Sequence, residues 1–208
     1  MAPKKVRCWD TTDPLYIAYH DEEWGIPVHE DLKLFEFLLL EGFQAGVSWA
    51  LILRKRENFR RAFDEFDPVK IARYTEEDIE RLMNDKGILR NRLKVRSSVT
   101  NAKVFLDIQK EFGTFDRYIW GFVGGKPIKN EFKSFSDMPA KSVISEAMSK
   151  DLKKRGFKFV GPVICYSFMQ AMGMVNDHLI GCPRGEYINK LVDSIHSQDD
   201  DPARARPK

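Results

Sequence analysis

Apolar residues recur at helical spacing in nearly every segment of the chain, and strand-like alternation is scarce. Asp13-Pro14 reads as an N-cap and first-turn pair, opening a short helix that places Asp13, Tyr16 and Tyr19 on one face. Asp31 starts a second helix through about Leu40. Leu34, Leu38 and Glu41 follow at i, i+4 and i+7, so the stripe ends on a carboxylate. Ser48 caps a third helix to about Phe63. Asp67-Pro68 and Thr75, with Glu76, Glu77 and Asp78 behind it, open two more, the latter ending near Asn84. Residues 84–88 form a tight turn. A longer helix follows, with Val95, Val99, Ala102 and Leu106 as its expected seam and Phe112-Gly113 as its end. Short aromatic helix is expected over Phe115–Phe122, an irregular surface loop over 128–140, helix from Ser142 to Arg155 with Gly156 as the stop, and a last apolar helix from Gly161-Pro162 to Met172. The fold class is therefore all-α. Residues 1–7 read as a flexible arm, 8–190 as one domain of two helical lobes, and 191–208 as a polar, disordered tail.

Composition narrows the function classes. The chain has 208 residues, 43% of them hydrophobic, enough for a sizeable core. Its net charge of +3 permits a polyanionic partner without requiring one. No apolar run is long enough for a membrane span, so no membrane partner is expected. Cys8, Cys165 and Cys182 are too few and too unevenly spaced for a disulfide framework, which points to a reducing, cytoplasmic compartment. Within an apolar helix, Cys165 reads as core; His29 and His196 read as surface groups.

Leu40–Trp49 (LEGFQAGVSW) sets a carboxylate and an indole on either side of a glycine-punctuated link with no basic residue. Such a set suits a pocket for a flat, electron-poor ligand; it also suits an ordinary helix–helix connection. His178 and Cys182 stand at i and i+4, and Cys8 and His20 bracket an aromatic-rich segment near the other end. Together they make a Cys₂His₂ set fit for tetrahedral zinc, against the alternative of free thiols and surface imidazoles. Lys86-Gly87-Ile88 joins two helices, and Arg90, Arg92, Lys94 and Arg96 cluster at the start of the second. This resembles a helix–hairpin–helix that grips a phosphate with backbone N–H groups, and equally a plain helical hairpin with a solvated basic face.

Four dispersed stretches resemble one family. Asp13–Gly25 (DPLYIAYHDEEWG), Glu41–Trp49 (EGFQAGVSW), Lys154–Gly161 (KRGFKFVG) and Asn176–Cys182 (NDHLIGC) are similar to bacterial DNA-3-methyladenine glycosylase I, in the family's order from about Cys8 to Pro183. The resemblance implies an all-α, helix–hairpin–helix glycosylase-like domain, with one structural zinc ion on Cys8, His20, His178 and Cys182 tying the N- and C-terminal segments together. It places a base pocket on Tyr16, Tyr19, Trp24, Glu41 and Trp49, and a DNA wedge on the Gln44–Val47 loop with Gly46 in it. Val47 stands where the family often has leucine, and the link from Cys8 to Asp13 is one residue short. Lys86, Gly87, Ile88 and Arg90 become the expected DNA contacts of the hairpin.

The implied activity is excision of N3-methyladenine from alkylated double-stranded DNA by a bacterial monomer, with free 3-methyladenine as product. N3-methylation makes the base cationic and hence a good neutral leaving group. Aromatic faces favour such a ring by about 0.5–2 kcal/mol per good contact. Glu41, the expected catalytic residue, can accept from the adenine amino group and counter the charge. No lysine is assigned to the pocket, so strand cleavage is not expected. A zinc hydrolase or a non-enzymatic DNA-binding module would leave the aromatic segment and Glu41 without a role.

Overall fold

From Leu34 to Phe43 every residue is buried, on all faces of one helix. The computed structural model describes residues 7–199 and places this helix, α2 (Asp31–Gln44), at the centre of the molecule. A helix apolar all round has to be enclosed. α2 is enclosed by α3 (Trp49–Ala62), α6 (Arg92–Phe112), α7 (Phe115–Trp120) and α9 (Pro162–Ala171). It runs one turn beyond the predicted Leu40, so Glu41 lies inside the helix rather than at its exit. The remaining helices are α1 (Pro14–Glu22), α4 (Pro68–Ile71), α5 (Glu76–Asn84), α8 (Val143–Arg155) and α10 (Pro183–Asp199). The buried apolar side chains form one cluster running from Cys8 to Cys182.

The capping chemistry behaves as its residue types require. Asp13 accepts from Leu15 N–H, Ser48 from Leu51 N–H, and Asp67 from the N–H groups of Val69 and Lys70. Gly113 and Gly156 close α6 and α8 at φ 87° and 109°. The seam of α6 is rotated from the expected one. Val95, Ser98, Ala102, Phe105 and Ile108 are buried, while Val99 and Leu106 are only half-buried. Ser97 and Ser98 are buried on this face because both hydroxyls donate to the Lys94 carbonyl one turn back.

Two other segments depart from expectation. Part of the 128–140 loop forms β1 (Ile128–Lys129), which pairs in parallel with β2 (Val175–Asn176), and a bridge joins Phe132 to Leu179. These strands are too short to leave a period-2 pattern, but they fasten the loop to the segment carrying Asn176–Cys182. The helix α10 runs through Asp199, across residues 191–199 of the expected tail. Ile188 and Val192, one helical turn apart, are buried and anchor it. Residues 200–208, and residues 1–6 of the expected arm, lie outside the described residues.

One glycine decides how the N-terminal segment crosses the core. Gly173, at φ 67°, follows α9, and a Cβ there would stand 2.4 Å from the backbone of Ile26 and Pro27. Val28 N–H donates to Met172 C=O at 3.1 Å beside it. Only a residue without a side chain allows this crossing, which holds the Trp24–Val28 segment against the end of α9.

Candidate functional site

The last turn of α2, the start of α3, α1, the Trp9 segment and α9 surround a cavity of about 160 Å³, lined by Trp9, Tyr16, Tyr19, Trp24, Glu41, Gln44, Trp49, Phe135, Ser167 and Gln170. That is below the roughly 300–1,000 Å³ of drug-sized sites and suits a single flat ring system. All five residues expected at a base pocket line it. The structure adds Trp9, Phe135, Ser167 and Gln170. Trp9 lies parallel to Tyr16 at a centroid distance of 4.7 Å and packs against Trp24 at 4.7 Å; Tyr19 meets Trp49 at 5.6 Å. The one-residue-shorter link from Cys8 to Asp13 thus still brings an indole into the cage. Phe135, Ser167 and Gln170 carried no sequence signal, since they come from an irregular loop and from one face of an apolar helix.

Two buried polar atoms of this cavity have no hydrogen-bond partner among the described residues: Glu41 Oε2 and Trp49 Nε1. Buried polar groups are almost always paired, because leaving one unpaired costs about 1–3 kcal/mol. Here an acceptor and a donor are both left open in the same aromatic cavity. No cation stands beside Glu41, and burial alone pushes its carboxyl up to about 8.

The aromatic segment is held in place by charge pairs from α3. Arg56 makes a bidentate pair with Glu23, both contacts at 2.7 Å, and Arg54 donates to Asp13 at 2.6 Å. The basic side chains of α3 are therefore largely engaged within the fold. Arg60 pairs with Glu36 and Glu57, and Lys55 donates to the carbonyls of Lys86 and Gly87.

Behind the cavity, Cys8, His20, His178 and Cys182 are all buried, and their donor atoms lie within 4.8 Å of one another. The four could hold a metal ion. Their neighbours fix which atoms are free to do so. His20 Nδ1 is 2.7 Å from Asp21 Oδ1, leaving Nε2 toward Cys182. His178 Nε2 is 3.1 Å from the Trp24 carbonyl, which can only accept, so Nε2 carries the proton and Nδ1 faces both thiols. Leu179 N–H donates to Cys8 Sγ at 3.3 Å. The Cys8 thiol, with His178 and His20 acting in the same sense against burial, lowers the Cys182 thiol, while contact with Cys182 and burial raise Cys8. Gly185 permits this close packing: a Cβ there would lie 2.6 Å from His178 Cβ.

The expected DNA contacts are divided. Gln44 is half-buried and reaches the cavity, Ala45 and Gly46 are exposed, and Val47 is half-buried with its N–H on Gln44 C=O. Gly46, at φ 86°, has open space around its Cα. At the 84–91 hairpin most of the expected groups are engaged within the fold. Ile88 is a core residue, 3% exposed, because the turn must anchor α5 to α6. Gly87 N–H is taken by Asp85 Oδ1 at 2.6 Å. Arg92 pairs with Glu80 and Arg96 with Glu76, and Lys94 is buried with Nζ on the carbonyls of Phe43 and Ala45. Lys86 and Arg90 alone among the expected hairpin contacts present exposed side chains without an ion pair. His29, read as a surface group, is exposed and stacks on Trp120. Cys165 is fully buried.

The Methyladenine glycosylase family model matches residues 9–185. DNA-3-methyladenine glycosylase 1 of Escherichia coli (strain K12) is 52% identical over 177 residues, 85% of this chain and 95% of that protein. A crystal structure of 3-methyladenine DNA glycosylase I matches with a TM-score of 0.83 at 50% identity, covering 86% of this chain and 98% of the other. A variant of such an enzyme in complex with 3-methyladenine matches with a TM-score of 0.82 at 40% identity, covering 84% and 94%.

The position of Glu41 sets a pH dependence. Between about 4.5 and 8 the folded protein keeps a proton that the unfolded chain has released, so stability falls as pH rises through that window. The whole effect is on the order of 5 kcal/mol. Glu41→Gln removes it. Without ligand, calorimetry is expected to find the variant melting close to wild type at pH 5 and well above it at pH 9. Parallel melting curves across that range would mean that Glu41 is not held as a buried, unpartnered acid.

Proposed function

The chain belongs to the methyladenine glycosylase family, and we propose that it flips 3-methyladenine out of alkylated duplex DNA and hydrolyses its N-glycosidic bond, leaving an abasic site. The observation that carries the site assignment is the pair of unpartnered atoms, Glu41 Oε2 and Trp49 Nε1, inside a cage of five further aromatic rings. An adenine edge offers an amino donor and ring-nitrogen acceptors, the complement of that pair. The rings of Trp9, Tyr16, Tyr19, Trp24 and Trp49 supply π-faces to a base that is cationic until it leaves.

In this reading Glu41 is the principal catalytic and binding residue. A carboxyl raised by burial alone ionises readily when a cationic ring is brought beside it, since the new charge offsets the desolvation that held the proton. The site thus stabilises a charged base in preference to a neutral one. Methylation already makes the base a good leaving group, so flipping and enclosure supply most of what catalysis needs. Departure of the neutral base leaves an oxocarbenium-like sugar, which water captures. The residues lining the cavity include no lysine, which supports a monofunctional enzyme without strand cleavage.

The buried Cys/His set suits zinc. Bonds of about 2.3 Å to sulfur and 2.0–2.1 Å to nitrogen at tetrahedral angles place neighbouring S and N atoms about 3.6 Å apart. The observed S···N separations are 3.3, 3.5 and 3.7 Å. With four protein donors such a site is closed, and zinc would act there as a structural cross-link between the two ends of the domain. His178 also holds the Trp24 carbonyl, so this cross-link braces one wall of the base cavity.

For DNA, the exposed Gly46 loop is assigned as the wedge, with Gln44 and Val47 at its base. Lys86 and Arg90 are assigned to phosphate contact, together with the backbone at Gly87 and Ile88 once Asp85 gives way. A second hairpin competes for the backbone grip. The α8–α9 connection carries Lys158 and places Phe159 at φ 56°. Asn101 clamps both backbone groups of Lys158, and the N-cap of α9 at Gly161 has no side-chain partner. A strained aromatic held this firmly is a mark of a functional turn. We further assign the protein to the bacterial cytoplasm as a monomer; among the described residues no helix is long and apolar enough to cross a membrane.

Purified protein incubated with methylated duplex DNA is expected to release free 3-methyladenine, identified by chromatography. Glu41→Gln should lower its single-turnover release by at least about 100-fold with the fold intact. Wild-type release by that variant would remove Glu41 from the reading. Elemental analysis should find one zinc per chain, and Cys182→Ser should lose it together with about 3 kcal/mol or more of stability; a metal-free, equally stable wild type would refute the staple. Salt titration of DNA affinity separates the hairpins. If 84–91 grips the backbone, Lys86→Ala with Arg90→Ala lowers the log–log salt slope by about 2, and Lys158→Ala leaves it unchanged.

A further inference from the structure

One buried carboxylate near the cavity is used neither by the metal-type cluster nor by the base contacts assigned above. Asp177, 1% exposed, receives three hydrogen bonds: from Tyr166 Oη at 2.7 Å, Asn130 Nδ2 at 2.7 Å and Gln170 Nε2 at 2.8 Å. With only donors around it, both of its oxygens accept. This settles the polarity of the Gln170 amide, which distances alone do not reveal. A carboxylate cannot donate, so the Gln170 nitrogen must face Asp177, and its carbonyl oxygen points the other way. Gln170 lines the aromatic cavity, and no described residue donates to its Oε1.

Resting on the base-pocket reading, we infer that Gln170 Oε1 is a second acceptor for the base and that Asp177 is the positioning residue that fixes its direction. An exocyclic amino group carries two hydrogens, and the cavity then offers two acceptors, Glu41 and Gln170. A 6-oxo purine turns an acceptor toward both and is rejected, because each acceptor of the cavity would face another oxygen. Selection for a 6-amino purine is thereby built into the scaffold. The Gln170 amide cannot rotate to present its NH₂ group without breaking its bond to Asp177. Through Asn130 the same carboxylate also ties down the loop that carries Phe135, so the acceptor and the rim of the cavity are set by one group.

The test is a titration of the intrinsic tryptophan emission with two free bases, 3-methyladenine and 3-methylpurine, which lacks the amino group. Gln170→Leu is expected to weaken 3-methyladenine about 10-fold and to leave 3-methylpurine within about twofold. Asp177→Asn keeps an acceptor for Asn130 and turns an NH₂ toward Tyr166 and Gln170, so the Tyr166 hydroxyl accepts instead and the Gln170 amide turns. It should therefore narrow the preference for 3-methyladenine over 3-methylpurine, and in excision from methylated duplex DNA raise the share of 3-methylguanine released relative to 3-methyladenine. Should Asp177→Asn fail to fold, Gln170→Leu decides alone. Equal losses for both bases, or no loss for either, overturn the inference. If Glu41→Gln weakens 3-methyladenine while Gln170→Leu does not, the second acceptor fails and the pocket stands. If neither variant changes binding, the pocket reading itself fails.

Discussion

A carboxyl group buried without a cation or hydrogen-bond partner for its Oε2 is the constraint around which this molecule is arranged. Glu41 sits in the last turn of a helix enclosed on every side, and no cation approaches it. Burying a polar group in this way costs stability, and the surrounding structure has to be rigid enough to maintain it. That rigidity is visible. Leu34–Phe43 are locked into the core, Lys94 caps the carbonyls just past Glu41, and Arg56 and Arg54 hold the aromatic segment over it. Charges that composition alone would assign to a DNA-facing surface are spent on holding the site together.

The arrangement also explains why the Cys/His cluster and the aromatic cavity are built from the same elements. His20 and Trp24 lie on or just after the same short helix as Tyr16 and Tyr19, so one element supplies ring faces to the cavity and an imidazole to the cluster. His178 bonds the carbonyl of Trp24, and its neighbour Asp177 bonds Gln170. Two consecutive residues thus reach both sides of the cavity. The short β1–β2 pairing fixes that segment in register with the loop above it.

Legibility in the sequence followed the range of the interactions. Helices with caps and periodic seams were readable, because Asp13, Ser48 and Asp67 bond groups two or three residues away. The polarity of Glu41 was readable as an anomaly at the end of an apolar stripe. The family resemblance then gathered Cys8, His20, His178 and Cys182 into one set, which spacing had left open. What stayed hidden depended on contacts between distant segments. Phe135 and Gln170 reach the cavity only through the tertiary fold. The arginines of α3 and of the expected basic start of α6 pair with Asp13, Glu23, Glu36, Glu76 and Glu80, none of which a helical wheel relates to them. The helix α10 was masked by its polar surface, since only Ile188 and Val192 mark its inner face.

The separation between the two halves of the Cys/His cluster carries a consequence for how the protein comes into being. Cys8 and His178 touch across a sequence separation of 170. Contacts of such range form late, because the loop they close must first be shortened by folding in between. During synthesis α1 to α9 can pack as they emerge, with Arg54 and Arg56 already on the aromatic segment, but its link to His178 and Cys182 has to wait until those two residues have left the ribosome. The nascent chain therefore has the parts of its cavity long before it has the cavity. The brace that His178 places on Trp24 is the last part added, when the two ends of the domain meet.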